Sequence, residues 1–291
     1  MNKLFFLHTH FIPEELISND IGSVLVPEFY PDLVNEYYKD VCYFRDLNSY
    51  FEYMEKKKIY NCELFYSIEN INMLKSIKDI YQYLKNGLAM IQLFNGRSNK
   101  YYTIENGLTN DGYELLRVIE EHNLLLDLSH LSDDQIQDIF NFYSGRMVVS
   151  HCSCRDIMID SKNRSNSLSI KMIKELGKQG TVFGIAFLND IVTSELHSEK
   201  ENDDTIIEDL VEQICCFVDL VGVSKVALGP DFICTNYFSK VFNTKLHIPS
   251  SLYRCNGYET LKTKLMNKGI SSDSVDSIFY SNAYNLIKNR I

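Results

Sequence analysis

From Asn106 to Ser132 the chain reads NGLTNDGYELLRVIEEHNLLLDLSHLS. A glycine turn leads into a segment whose apolar residues Leu115, Leu116, Val118 and Ile119 share one side of a helix. A short loop follows, then Leu124-Leu125-Leu126-Asp127-Leu128, too short and too apolar for a surface helix. That run is a strand, and it delivers Ser129-His130 at its C-terminal end. Helix followed by strand is one unit of a parallel α/β repeat. In a closed parallel barrel, chemistry sits at the C-terminal ends of the strands. What else the chain can be depends on whether its other strands end the same way.

Seven further runs read as strands: Lys3–Leu7, Ile21–Val26, Cys62–Ile68, Leu88–Phe94, Arg146–Ser150, Gly180–Phe187 and Lys225–Leu228. Helical patterning is expected within 31–58, over Gln135–Tyr143 with a Ser132 cap, and over Ile170–Gly177 and Ile206–Val221. Two helices, Tyr258–Asn267 and Ser274–Asn289, close the chain. The stretches Ser153–Ser169, Thr193–Thr205 and Thr235–Ser251 read as loops. Eight strands, mostly separated by helices and without an internal linker, fit one (β/α)₈ TIM-type barrel over residues 1–291. Such a barrel takes about 250 residues, so the length suffices. The link between the first two strands is short for a full helix, and an irregularity is expected there.

The strand ends collect His8 and His10, Glu69, Asn95, His130, His151 and Asp231. Four of the chain's seven histidines are among them. Residues two apart on an extended chain point the same way, so His8 and His10 reach a common point. Any one of these side chains alone is more often structural than functional. Gathered at one barrel mouth they are not explained by packing, because clustered charges lose hydration unless paired or bound to metal. Imidazole and carboxylate suit zinc or a similar divalent ion. The supply is enough for two ions sharing a carboxylate. Asp231 is the candidate proton carrier. Arg164, in the loop after the sixth strand, reads equally as a clamp for a substrate carboxylate or as a solvated loop residue.

A net charge of −10 argues against nucleic acid or an anionic membrane as partner. No apolar run of about 18 residues exists to span a bilayer. The apolar start, Leu4 to Leu7, is too short for a signal peptide and lacks a small-residue cleavage site. Eight cysteines occur without a CxxC pair, which fits reduced thiols and a cytoplasmic location. Packing is the expected role of Cys215 and Cys216.

At these residues the chain resembles the membrane dipeptidase family (renal dipeptidase-like peptidases) of the amidohydrolase superfamily. The likeness is densest in GLTNDGYELLRVIEEHNLLLDLSHLS, similar to that family's GLT-x-x-G…DLSH segment. Ser67-Ile68-Glu69-Asn70, Val149-Ser150-His151-Cys152, Asn163-Arg164 and Val223 to Phe232 (VSKVALGPDF) extend it along the chain. The resemblance implies a metallo-dependent hydrolase barrel with two Zn²⁺ ions, or another divalent ion in their place. Glu69 would bridge them, His8 and His10 would hold one, and His130 and His151 the other. Asp231 would be the acid/base beside a metal-bridging hydroxide, and Arg164 would hold the substrate's carboxylate. The implied activity is dipeptide hydrolysis, with a small peptide as partner and a homodimer by family analogy.

Four departures stand out. The family carries HxD at the first strand, where this chain has His8-Thr9-His10. The family's histidine after the fourth strand, held to polarise the scissile carbonyl, is Asn95 here. Its DFDG becomes Asp231-Phe232-Ile233-Cys234, and its RN-x-x-D loop becomes Arg164-Ser165-Asn166-Ser167. The metal side is kept and the substrate side varies. Two alternatives follow: a diverged amidohydrolase acting on another amide or peptide-derived metabolite, and a metal-binding protein with little turnover.

Overall fold

The computed structural model describes residues 3–16, 21–26, 52, 63–69, 71–74, 76–158, 166–193 and 202–289. Eight strands, all paired in parallel, close on themselves: β1 (Leu4–Thr9), β2 (Ile21–Leu25), β3 (Glu63–Ile68), β4 (Leu88–Gln92), β5 (Leu125–Asp127), β6 (Met147–Cys154), β7 (Val182–Ile185) and β8 (Val226–Leu228). Each pairs with its neighbour in the chain, and β8 returns to β1. This is the expected (β/α)₈ barrel. A two-residue strand, Ser167–Leu168, adds to the end of β6.

Alternation along the strands builds two apolar layers. On β1, Phe5 and Leu7 point into the barrel with Phe65, Met90, Val148 and Val182, while Leu4 and Phe6 face the surrounding helices. Ala283 and Ile287 of the last helix join the inner set, so the C-terminal segment packs against one end of the barrel interior.

Helices α1 (Ile80–Leu84), α2 (Asn110–Glu121), α3 (Asp133–Phe140), α4 (Ile170–Lys178) and α5 (Asp203–Val221) connect the strands. Thr109 Oγ1 accepts from Gly112 N to cap α2, and a Ser132–Gln135 capping box starts α3. After β8 come α6 (Thr235–Phe242), α7 (Cys255–Asn267) and α8 (Asn282–Lys288). Thr235–Ser251 was expected to be a loop, but α6 occupies its first half. Two turns are too short for a periodic stripe to register. The expected helix over Ser274–Asn289 is a helical run widened by a π turn at Ser277–Ser281. The helical patterning expected within 31–58 lies outside the described residues, apart from residue 52.

Two bulges shape the mouth. Between β1 and β2 the register passes from Phe6↔Ser23 to Thr9↔Leu25, leaving an extra residue on β1 around His8. Between β6 and β7 it passes from Phe183↔Val149 to Ile185↔Cys152, leaving an extra residue on β6 at Ser150–His151. A bulge bends its strand and re-aims side chains. Both fall on strands that carry histidines. Among the described residues, no helix is long and apolar enough to cross a membrane, and none of the six described cysteines is in a disulfide. Cys215 and Cys216 pack, partly buried, against the outer core.

Candidate metal centre

Six of the eight residues singled out from sequence as site residues meet at the C-terminal mouth of the barrel. His8 lies in the β1 bulge and His10 one residue past β1, and both are buried. The backbone ties them to the end of β8, as His10 N donates to Phe232 O and Asp231 N donates to His8 O. Asp231 Oδ1 stands 3.5 Å from His8 Nε2 and 3.3 Å from His10 Nε2. Glu69, the first residue after β3, places Oε2 3.5 Å from His10 Nε2 and 3.9 Å from His8 Nε2. Its other oxygen, Oε1, is 3.1 Å from His130 Nε2, which in turn is 3.2 Å from His151 Nε2.

Three side chains around this mouth sit on left-handed backbone: His130 (φ 69°), Asn166 (φ 52°) and Asp231 (φ 53°). Residues held in such sparsely populated conformations cluster at functional sites.

The electrostatics suit a cation. Burial alone would raise the Glu69 carboxyl. The hydrogen bond from His130 and the nearby imidazoles of His10 and His8 outweigh it and hold Glu69 well below the usual carboxylate range. Burial likewise opposes ionisation of Asp231, and the imidazoles of His10, His8 and His151 facing it hold it low. Burial, then repulsion from His8, pushes His151 well below the usual imidazole range. Ionised carboxylates beside a neutral imidazole are the protonation states that metal binding requires.

Distances give a second test of fit. Bonds from zinc to nitrogen or oxygen run about 2.0–2.2 Å, so two ligands on one tetrahedral ion stand about 3.3–3.6 Å apart. The separations of His8 and His10 from Glu69 and Asp231, 3.3–3.9 Å, are long for hydrogen bonds and bracket that spacing. His8 Nε2 and Glu69 Oε2 are buried without a hydrogen-bond partner. His8, His10 and Glu69 form one group able to hold an ion, and Glu69, His130 and His151 form another. A third grouping of His8, Asp127 and His151 is geometrically close. Both Asp127 oxygens, however, already accept from Ser129 and Ser150, which places Asp127 behind the ligands.

A cavity of about 350 Å³ opens beside these residues. Asn95, His10, Glu69, His130 and Asp231 line one side, while Leu188, Ile191, Ile233, Phe238 and Leu246 supply an apolar side. The rim is pinned by Asn189, whose side chain donates to Lys245 O and accepts from His247 N. Arg164 lies outside the described residues. Arg155, nearby in sequence, pairs with Asp133 and Ser167 O.

Residues 31–290 match the family model described as membrane dipeptidase (peptidase family M19). The chain belongs to the membrane dipeptidase family. The matched residues include Glu69, Asn95, His130, His151 and Asp231, and begin after His8 and His10. A dipeptidase of Aspergillus oryzae, aclJ, is 25% identical over 186 residues, 62% of this chain and 38% of that protein. The match spans less than two thirds of the length of the curated relatives. An amidohydrolase from Pseudomonas aeruginosa shares the fold with a TM-score of 0.74 at 14% identity, covering 99% of this chain and 96% of that one. A metallo peptidase from Rhodobacter sphaeroides, bound to a phosphinate mimic of L-Ala-D-Ala, gives a TM-score of 0.61 at 16% identity over 82% and 67%.

In this membrane dipeptidase family chain, sequence reasoning missed three parts of the site. Asp127 and Ser150 support the histidines from behind. An acid inside a run of leucines was the available signal for Asp127. Asn166, buried with Nδ2 3.4 Å from His130 Nε2, lines the cavity. The apolar side, from α6 and Leu246, left no signal at all.

Proposed function

We propose that the chain is a zinc-dependent dipeptidase with a two-ion centre. One observation carries this reading: Glu69 stands between two histidine pairs, with one oxygen toward each. His8, His10 and Glu69 would hold one ion, and Glu69, His130 and His151 the other. Bound ions of this kind supply Lewis acidity, acidifying water and polarising a carbonyl.

The chain's own groups do the rest. Asp231, on the cavity wall beside His8 and His10, takes a proton from the attacking water and delivers it to the amine nitrogen as the C–N bond breaks. Asn95 donates to the carbonyl oxygen, and Arg164 pairs with the free carboxylate. The cavity volume of about 350 Å³ suits a ligand of dipeptide size, and its apolar side suits an aliphatic or aromatic substituent. The Rhodobacter sphaeroides relative, bound to a dipeptide mimic, supports the same substrate class.

Asn95 favours a second reading, hydrolysis of another peptide-like amide, because a neutral amide stabilises developing charge less than an imidazolium does. The deciding experiment is hydrolysis of L,L and L,D dipeptides by chelator-stripped protein restored with Zn²⁺ or Mn²⁺. Metal-dependent release of amino acids supports the dipeptidase. About two ions bound per chain with no release across the panel would favour the second reading.

A further inference from the structure

Ser150 sits in the β6 bulge, directly before His151, with no exposed surface. Its carbonyl occupies a space that two glycines leave open. A Cβ on Gly184 or on Gly229 would come within 1.9 Å of Ser150 O. Three strands therefore fix where this serine stands.

Ser150 Oγ is 2.5 Å from Asp127 Oδ2, 3.0 Å from His151 Nδ1, 3.1 Å from His8 Nδ1 and 3.2 Å from Ser129 Oγ. A serine hydroxyl has one proton to donate and two lone pairs to accept with. The carboxylate of Asp127 only accepts, so the Ser150 proton goes there. Ser129 has none to offer Ser150, because its own hydroxyl donates to Asp127 Oδ1 at 2.8 Å. That same oxygen accepts the backbone N–H groups of Ser129 and Ser150. The two lone pairs of Ser150 then face the Nδ1 atoms of His8 and His151. A buried acceptor facing an unprotonated nitrogen would lose its hydrogen bond, so both nitrogens carry hydrogen.

We propose that Ser150, oriented by Asp127, is a positioning residue that holds His8 and His151 in the Nδ1–H tautomer and aims both Nε2 lone pairs into the metal centre. The role rests on the two-ion reading above. Its geometry stands independently. His8 Nε2 has no hydrogen-bond partner, and its nearest carboxylate oxygens, at 3.5 and 3.9 Å, are long for accepting a proton. His8 belongs to one ligand group and His151 to the other, so one hydroxyl sets the donor atoms of both. Groups behind metal-bound histidines fix tautomer and ring orientation in this way.

Two measurements test it. Long-range ¹H–¹⁵N correlation of histidine-labelled, metal-free protein reads the tautomers directly. Expected are protonated Nδ1 and bare Nε2 at His8 and His151, with the Nε2–H form growing in Ser150→Ala. Chelator competition then gives zinc affinity. Ser150→Ala and Asp127→Asn are expected to weaken it by about 10- to 100-fold, and Ser150→Thr, which keeps the hydroxyl, to restore most of the loss. Unfolding midpoints of the metal-free variants separate this effect from general destabilisation. Nε2–H tautomers at both histidines of the parent protein would overturn the proposal, as would unchanged zinc affinity in folded Ser150→Ala. If that variant does not fold, the tautomers of the parent protein decide. Nδ1–H tautomers in a parent protein that binds no zinc would uphold Ser150's hold on the rings and remove the two-ion reading instead.

Discussion

Glu69 Oε1 lies 3.1 Å from His130 Nε2 across the barrel mouth, and the same carboxylate turns its other oxygen toward His10. One side chain thus spans both halves of the centre. Glu69→Gln keeps the shape, removes the charge and puts an amide donor where an acceptor stood. The variant is expected to lose at least one of two ions and more catalytic efficiency than the ~100-fold that outer partners cost. Metal-to-protein ratio and dipeptide turnover measure this. Full metal content with parental turnover would take Glu69 out of the centre.

Asp231→Asn separates proton transfer from metal holding. The amide keeps a hydrogen-bonding side chain beside His8 and His10 but cannot carry a proton at neutral pH. The expected result is a fall in kcat of about 10²- to 10⁴-fold with metal content close to the parent's. Loss of metal in step with activity would make Asp231 a ligand first and a proton carrier second.

Acid should destabilise the metal-free protein in two stages. His151 binds its proton less readily folded than unfolded, because burial disfavours its charge. Its contribution is complete above the unfolded value of about 6.5 and erodes as pH falls below that. The slope for one proton is about 1.4 kcal/mol per pH unit. Glu69 and Asp231, also depressed on folding, add their loss only below about pH 4. Urea midpoints between pH 8 and 4.5 resolve the first stage, and His151→Gln should flatten it. A parent protein equally stable at pH 7.5 and 5 would contradict the assignment.

The barrel and the gathering of histidines and carboxylates at its mouth were readable in the chain because both rest on local signals. Apolar runs such as Leu124–Leu128 announce strands, and residues one or two places past such runs, Glu69 and His130, stand at the mouth by the geometry of any such barrel. Ser150 was not readable. That it and His151 both face the centre depends on an extra residue in the β6–β7 register, a relationship between two strands that neither strand's pattern contains. The apolar part of the cavity was hidden for a related reason. Phe238 and Leu246 reach the cavity only through the folding of a segment whose short helix has too few turns to show a stripe.

Phe238 tests that apolar side. It is buried on α6 and lines the cavity with Leu246 and Ile233. Phe238→Ala is expected to raise KM for dipeptides with large apolar side chains by about 10-fold or more, on the scale of a few buried methylenes, and to change little for Gly-Gly. Equal loss on both substrates would mean the helix supports the fold rather than the substrate.

Asn95 decides between the two functional readings. It lines the same cavity as Glu69 and His130, and its amide can donate a neutral hydrogen bond to a carbonyl oxygen. An imidazole at that position could donate while carrying charge, which stabilises a developing oxyanion more strongly. On a dipeptidase working below its chemical limit, Asn95→His should raise kcat by about tenfold with KM little changed, while Asn95→Ala should lower it. A fall in kcat with histidine, on a substrate that the parent hydrolyses, would show that the cavity is shaped around the amide. The native substrate would then be one whose reacting group a neutral donor fits better than a charged one, which is the diverged-amidohydrolase reading.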